Sequence, residues 1–421
     1  MSFARIRWLF GAHGFASGFL LPFPVLLLAS KGMDAATIGL VLGAAAFVSM
    51  LSFPVWGLLA DGPLGRERSV VLSGLLAAVA GACIVLAGSD ITLMSICIVL
   101  AWVGMAAWSP ITDAMALAAL GDRSGAYGRF RAWTSMGWAV AAISGGIAYA
   151  LAGPDLLLAL FVAGSLGVAV FAFRPRQIRM GRHASAHRPR LLTELRAAVV
   201  AAPVLLPILL ALFLETLGNN AANAMIPLRI LDVGGGAVIV GFAAAAPAIV
   251  EVPLFPSTSP MIARLGLRRF YVLGLLISAA TLVFVALVSD PGLVALSRGV
   301  DGVSYVLRYA GMVVIIGAIL PASLRATGQS LAWLVGGGIS AVIAGPLAGA
   351  MYGALGGGLL FATCALLVLL GAAVAWRALR GPTFRAGATG GTGAPSATAA
   401  ASAPGPTGVT SAASGAPSGS T

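Results

Sequence analysis

The chain has 421 residues, of which 59% are apolar and only 9% charged, with a mean hydropathy of +1.01. A water-soluble globule of this length needs no such apolar surplus for its core, so the excess must face lipid. The formal charge of +12 does not point to nucleic acid either, because 21 of the 25 lysines and arginines fall at the termini or in every second gap between apolar runs. That is the distribution of cytoplasmic membrane loops.

Twelve runs, each near the ~20 residues that a helix needs to cross a bilayer, begin close to Ile6, Thr37, Ser69, Ile91, Ala132, Leu156, Val199, Ala237, Phe270, Pro291, Thr327 and Leu359. Unbroken stretches such as Leu205 to Leu214 exclude the alternating ~10-residue segments of an outer-membrane barrel. The first run continues to about Ser30 without a small-residue cleavage site, so it reads as a retained helix rather than a signal peptide. Arg5 and Arg7 precede it. Arg66 and Arg68 follow the second run, Arg123, Arg129 and Arg131 the fourth, and a polar segment from Arg174 to Arg196 with His183 and His187 the sixth. Arg264, Arg268 and Arg269 follow the eighth, Arg325 the tenth, and Arg377, Arg380 and Arg385 the twelfth. The opposite gaps hold only Lys31 and Arg229 beside Asp34, Asp90, Asp155, Asp232 and Asp290. This asymmetry predicts a multi-pass protein of the cell inner (plasma) membrane with both termini cytoplasmic, and anionic lipid headgroups as its surface partners.

The predicted fold is an all-α membrane protein: a six-helix bundle over 1–173, a cytoplasmic loop over 174–196, a second six-helix bundle over 197–380, and a tail over 381–421. The tail is almost wholly Gly, Ala, Ser, Thr and Pro, a composition too poor in apolar surface to offset its ordering entropy, and is expected to be disordered. The halves echo each other at an offset near 202 positions: Gly39 matches Gly241, Pro54 matches Pro256, and the loop of 61–68 matches that of 263–269. Two pseudo-symmetric repeats explain this. Cys83, Cys97 and Cys364 lie inside apolar runs, which excludes a disulfide framework and gives no metal-ligand spacing.

The loop after the second run, Gly57-Leu-Leu-Ala-Asp61-Gly-Pro-Leu-Gly65-Arg66-Glu-Arg68, is similar to the G-x-x-x-D-R/K-x-G-R-R/K signature of the major facilitator superfamily. It differs in having Gly62 for the first basic residue and one extra residue before Gly65. Pro110-Ile-Thr-Asp113-Ala114, Tyr127-Gly128-Arg129-Phe-Arg131, Glu251-Val-Pro253 and Leu324-Arg325-Ala-Thr-Gly328-Gln329 resemble the branch around phenylpropionate permease, related to the lactose and nucleoside proton symporters. The resemblance covers residues 5 to 378 and implies a twelve-helix transporter. It also implies that Asp61, with Arg66 and Arg68, helps hold a cytoplasmic gate shut.

Ionisable groups inside a span are costly and usually face a protein cavity. Six need explaining: Asp113, Glu215, Glu251, Arg298, Asp301 and Arg308. Arg298, Asp301, Tyr305, Arg308 and Met312 share one stripe of the tenth helix by their spacing of three and four, and so border an aqueous path. Glu251 is the expected partner of Arg308, and a carboxylate whose proton a guanidinium controls is a proton-coupling device. A fixed structural pair is the alternative reading. Arg298 and Asp301 complete the proton-coupling set, with an internal i, i+3 ion pair that satisfies itself against the bundle as their alternative reading.

Glu215, Asn219 and Asn223 on one face of the seventh helix, with Tyr305, Trp333 and His13, are the expected substrate contacts. For His13 a packing role is the competing reading. Asp113 is expected to pair with Arg129 or Arg131 as a gate. Phe23, Trp56, Trp102, Trp108 and Trp138 can stack a planar substrate or simply pack.

The reading is a secondary transporter of a small organic solute by alternating access, working as a monomer. Symport of protons with an organic anion, a sugar or a nucleoside is the leading form, a proton-driven exporter the second, and a non-transporting scaffold or sensor the third. No G-x-x-x-x-G-K-S/T loop and no nucleophile-base spacing occur, so neither a cofactor nor an enzymatic reaction is expected.

Overall fold

The computed structural model describes residues 3–120, 127–173, 198–381 and 384. All of the loop expected at 174–196, His183 and His187 included, and almost all of the expected tail lie outside them, as does Arg123.

Among the described residues, ten hydrogen-bonded segments are long and apolar enough to cross a membrane. Two of these are hairpins, which brings the crossings to twelve. In Tyr127–Ala172 the single residue Gly153 leaves helical geometry (φ 76°, ψ −168°), and Pro154 opens the returning helix. In Ser340–Ala378 Gly356 does the same (φ 79°, ψ 167°). A φ in this region strains any residue with a Cβ, so each reversal depends on its glycine.

The helices are α1 (Phe3–Leu20, continued by Pro24–Ala29), α2 (Ala35–Asp61), α3 (Gly65–Leu86) and α4 (Ile91–Met105, continued by Trp108–Leu120). The first hairpin supplies α5 (127–152) and α6 (154–172). Then come α7 (Leu205–Asp232), α8 (Ala237–Leu254, extended through a 3-10 turn by Thr258–Leu265), α9 (Leu267–Leu287) and α10 (Pro291–Ile319). The last pair is α11 (325–355) and α12 (357–378), and α11 passes through a π turn at Leu334–Ile339. The aspartates of the acid-bearing loops act locally as helix caps. Asp34, Asp90 and Asp290 accept hydrogen bonds from the backbone N–H of Thr37, Leu93 and Leu293 at 3.0, 3.0 and 2.8 Å, satisfying donors that a helix start leaves open.

Small residues set how the bundles form. A Cβ built on Gly14 or Gly18 of α1 would fall against the Thr134 or Trp138 backbone of α5, and one on Gly74 against the Ser165 carbonyl of α6. Gly218 of α7 meets Cys364 of α12, and Gly274 of α9 meets Leu307 and Arg308 of α10. Such close approach is how membrane helices gain packing without a hydrophobic drive between them. Outward, Leu86, Leu151 and Leu287 are about four-fifths exposed (82%, 81% and 78%), as acyl-chain contacts should be.

The two halves touch along two seams. On α2 and α11, Gly39 and Gly43 face Gly345, Pro346 and Gly349; on α5 and α8, Ala142 and Gly146 face Ala237 and Gly241. Gly39 and Gly241, the pair matched by the sequence echo, each anchor one seam. Both seams lie at the end of the bundle that carries the Gly153 and Gly356 reversals.

Candidate functional site

Between the halves, below the seams, lies a cavity of about 590 Å³. At the seam end its wall is buried: Leu42, Val240, Ala243 and Ile226 are 9% exposed or less. Toward the other end Arg131 and Tyr305 are exposed, so the cavity opens there. The periodicity of α10 is realised: Arg298, Asp301, Tyr305 and Arg308 all line it, while Met312 is buried outside the lining. Trp102 of α4, Arg131 and Trp138 of α5, Asn220 and Asn223 of α7, and Glu251 of α8 complete the polar wall.

The charges on the C-terminal side form a chain. Asn223 Oδ1 accepts from Arg298 Nη2 at 2.5 Å, and Arg298 Nη1 lies 2.9 Å from Asp301 Oδ2. Asp301 Oδ1 is 3.9 Å from Arg308 Nη2, and Arg308 Nη1 is 2.5 Å from Glu215 Oε2. Behind Glu215, Asn219 donates to its carboxylate at 3.3 Å and accepts from Ser278 at 2.8 Å. Arg308 Nε also donates to Ser304 Oγ at 3.0 Å. Buried ions need this density of partners to offset desolvation.

The expected Arg308–Glu251 pair is therefore corrected: Arg308 pairs with Glu215 of α7, not with Glu251 of α8. Glu251 lines the cavity with no hydrogen bond or salt bridge among the described residues, under the combined field of Asp301, Arg131, Arg298 and Arg308. Glu215 and Asn219 lie behind the wall rather than in it, because the face they share points into the C-terminal bundle. Asn223 does line the cavity, and so does Asn220, which donates to the Gly336 carbonyl at 3.1 Å and Ser340 Oγ at 2.8 Å. Of Glu215, Asn219 and Asn223, expected together on the substrate face, Asn223 alone lines the cavity.

His13 is buried edge-on against Trp108, away from the cavity, which favours the packing role. Trp333 is 46% exposed and stands edge-on to Tyr309, outside the lining. Trp138 reaches across the α5–α8 boundary and donates to the Ala244 carbonyl at 3.0 Å. Asp113 is buried and accepts from Ser109 at 3.3 Å; it feels Arg131 electrostatically but makes no salt bridge with it or with Arg129 among the described residues. Arg129 and Arg68 are exposed. Asp61 lies 3.6 Å from Arg66, which also donates to the Ala114 carbonyl of α4 at 3.4 Å. This latch stays within one half and leaves the other half untouched.

A charged cavity at mid-span, sealed at one end by helix contacts and open at the other, is the architecture of a secondary transporter. Comparison with known proteins agrees. The chain matches the MFS_1 like family over residues 10–363, and it belongs to that family of major facilitator transporters. It is 30% identical over 335 residues to a maltose permease of Geobacillus stearothermophilus, across 78% of this chain and 82% of the permease. Among solved structures, the nucleoside transporter NupG aligns with a TM-score of 0.75 at 15% identity, covering 90% of this chain and 99% of NupG. An auto-inhibited POT family peptide transporter aligns with a TM-score of 0.67 at 13% identity, over 90% of this chain and 97% of its own. At these identities the structures share the fold with this chain. The protein is a multi-pass membrane transporter of small molecules, not an enzyme.

Proposed function

We propose that this chain is a proton-coupled symporter of a neutral sugar, most simply a mono- or disaccharide. The observation that carries the reading is the charge balance of the cavity. The lining arginines Arg131, Arg298 and Arg308 are offset by the lining Asp301 and Glu251 and by Glu215 behind Arg308, so the resting site has little net charge to attract an ion. What it offers is amides, carboxylates and guanidinium groups for hydroxyls, beside the indole faces of Trp102 and Trp138. Aromatic faces and a few convergent polar groups in a cleft of this size suit a polyhydroxylated ring. The maltose permease relative supports the same class.

Glu251 is the coupling carboxylate in this reading. Its neighbours Arg298 and Arg308 are already engaged by Asp301 and Glu215, and Arg131 acts on it without a salt bridge among the described residues, so a proton is the direct counter-charge open to it. Proton binding then adds one positive charge to a balanced cavity, and sugar uptake is electrogenic. An organic acid, the second reading, would cancel that charge and move without current. The protein acts as a monomer in the cell inner membrane with both termini in the cytoplasm, the side on which its basic loops fall.

The test is flux in proteoliposomes. Sugar accumulation driven by an inward proton gradient, with inward current, is the expected result for the native chain. Glu251→Gln should abolish accumulation yet retain sugar exchange at equal concentrations. Current-free uptake of an aromatic acid, or accumulation by Glu251→Gln equal to the native level, overturns the reading, and accumulation driven only by an outward proton gradient identifies an exporter.

A further inference from the structure

One amide ties α7 to the irregular turn of α11. In the π turn at Leu334–Ile339 the Ser340 N–H reaches back five residues to the Val335 carbonyl, so the carbonyl of buried Gly336 loses the donor that an α-helix would give it. It accepts instead from Ser340 Oγ at 2.5 Å and from Asn220 Nδ2 of α7 at 3.1 Å, and Asn220 Nδ2 also donates to Ser340 Oγ at 2.8 Å. A carbonyl can only accept, so the Asn220 amide must turn its N–H group to α11. Its Oδ1 is open to solvent and has no hydrogen-bond partner among the described residues. Asn220 itself lines the central cavity.

The turn sits beside the contact between the halves. A Cβ on Gly338 would stand 3.1 Å from Met50 Sδ of α2. Farther along the same helix, Ala341 and Gly345 reach the cavity wall, and Gly345 and Gly349 meet Gly39 and Gly43 in the seam. Returning the turn to α-helical register would rotate the part of α11 before it by about 100° against the part after it. Trp333 and the seam glycines cannot both keep their places through that change. Asn220 holds the π register, and single π turns of this kind recur at functional sites.

We propose that Asn220 is a solute contact and, through the π turn, a positioning residue for the α2–α11 seam. A solute hydroxyl donates to Oδ1 and draws the amide from the Gly336 carbonyl, and the Ser340 N–H closes an α-type bond in its place. Filling the cavity is thereby linked to the helix that seals it. The hydroxyl is that of the sugar proposed above, so the solute contact rests on that reading; the hold of Asn220 on the turn does not.

The experiment is hydrogen–deuterium exchange over residues 334–341 of the full chain in detergent, with and without maltose, beside maltose titrations and sugar flux in vesicles. Maltose should slow amide exchange in this stretch of the native chain. Asn220→Ala should slow it without solute, gain nothing further from maltose, and weaken maltose binding several-fold. Ser340→Ala is the second variant: buried and outside the cavity wall, it should change sugar flux several-fold at unchanged maltose affinity, a split that a purely structural role would not produce. A native chain that binds no maltose, with the amide shift of Asn220→Ala intact, upholds the hold on the turn and counts against the sugar reading. Unchanged amide exchange in Asn220→Ala, or maltose bound with residues 334–341 unaltered, overturns the proposal.

Discussion

Arg308 and Glu215 stand 2.5 Å apart with side chains 9% and 4% exposed, joining the cavity-lining face of α10 to α7 behind the wall. The pair is the inner end of a chain that reaches the cavity surface through Asp301, Arg298 and Asn223. Removing one member leaves a buried charge unmatched, a loss of about 3–5 kcal/mol. Arg308→Gln should therefore lower the melting temperature sharply and abolish transport. Adding Glu215→Gln to Arg308→Gln should recover much of the thermal stability without recovering flux, since Asp301 still loses its second cation. Thermal unfolding in detergent and flux in vesicles separate the two effects.

Trp138 has two roles that substitutions can divide. Its ring lines the cavity and its N–H binds the Ala244 carbonyl across the two halves at 3.0 Å. Trp138→Phe keeps a stacking face and loses the bridge, so affinity for the proposed sugar should hold within about threefold while the rate of exchange changes. Trp138→Ala loses both, and affinity should fall about tenfold, which corresponds to ~1.4 kcal/mol. Binding titrations and exchange rates report each role.

The seams make a conformational prediction. A Cβ on Gly39 would lie 2.4 Å from the Gly345 carbonyl, and one on Gly241 2.2 Å from that of Ala142. Gly39→Val should block this closed contact and shift the population toward the state open at the seam end. In a background lacking Cys83, Cys97 and Cys364, a cysteine replacing Ser135 in the cavity wall should react with an impermeant maleimide from the Arg66 side. With Gly39→Val added, it should react from the opposite side.

A pH effect is expected at the Asp34 cap. Thr37 donates its hydroxyl at 2.7 Å and its backbone N–H at 3.0 Å to this carboxylate, holding its pKa below the usual carboxylate value. The cap is therefore fully present above the unfolded-state value near ~3.9 and is lost as pH falls through the lower folded value. Asp34→Asn, which still caps, should flatten the acid limb of a melting-temperature profile. Asp34→Ala should lower the neutral plateau.

The span pattern and the α10 stripe were legible because they are repeating features of one helix at a time, whereas Gly39 and Gly241 were legible as matched positions of a repeat but not as contacts between the halves. The sixth and twelfth runs, expected to begin near Leu156 and Leu359, begin within a turn of those positions, directly after Gly153 and Gly356. The partner of Arg308 was not legible in this way. Spacing says that Arg308 shares a face with Asp301, but choosing between Glu215 and Glu251 depends on how far α7 and α8 are rotated in the bundle. The amides show the same limit: Asn219 and Asn220 are neighbours in sequence, yet one backs Glu215 and the other lines the cavity. Trp138 could be read as a possible stacking residue, whereas its bridge to Ala244 requires both halves in place.

The reversals at Gly153 and Gly356 turn in one residue, and the links at 30–34, 87–90, 233–236 and 288–290 are five residues or fewer. No segment at that end is long enough to fold over the cavity as a flap. Its barrier to a solute is helix backbone against helix backbone, and breaching it requires whole helices to part.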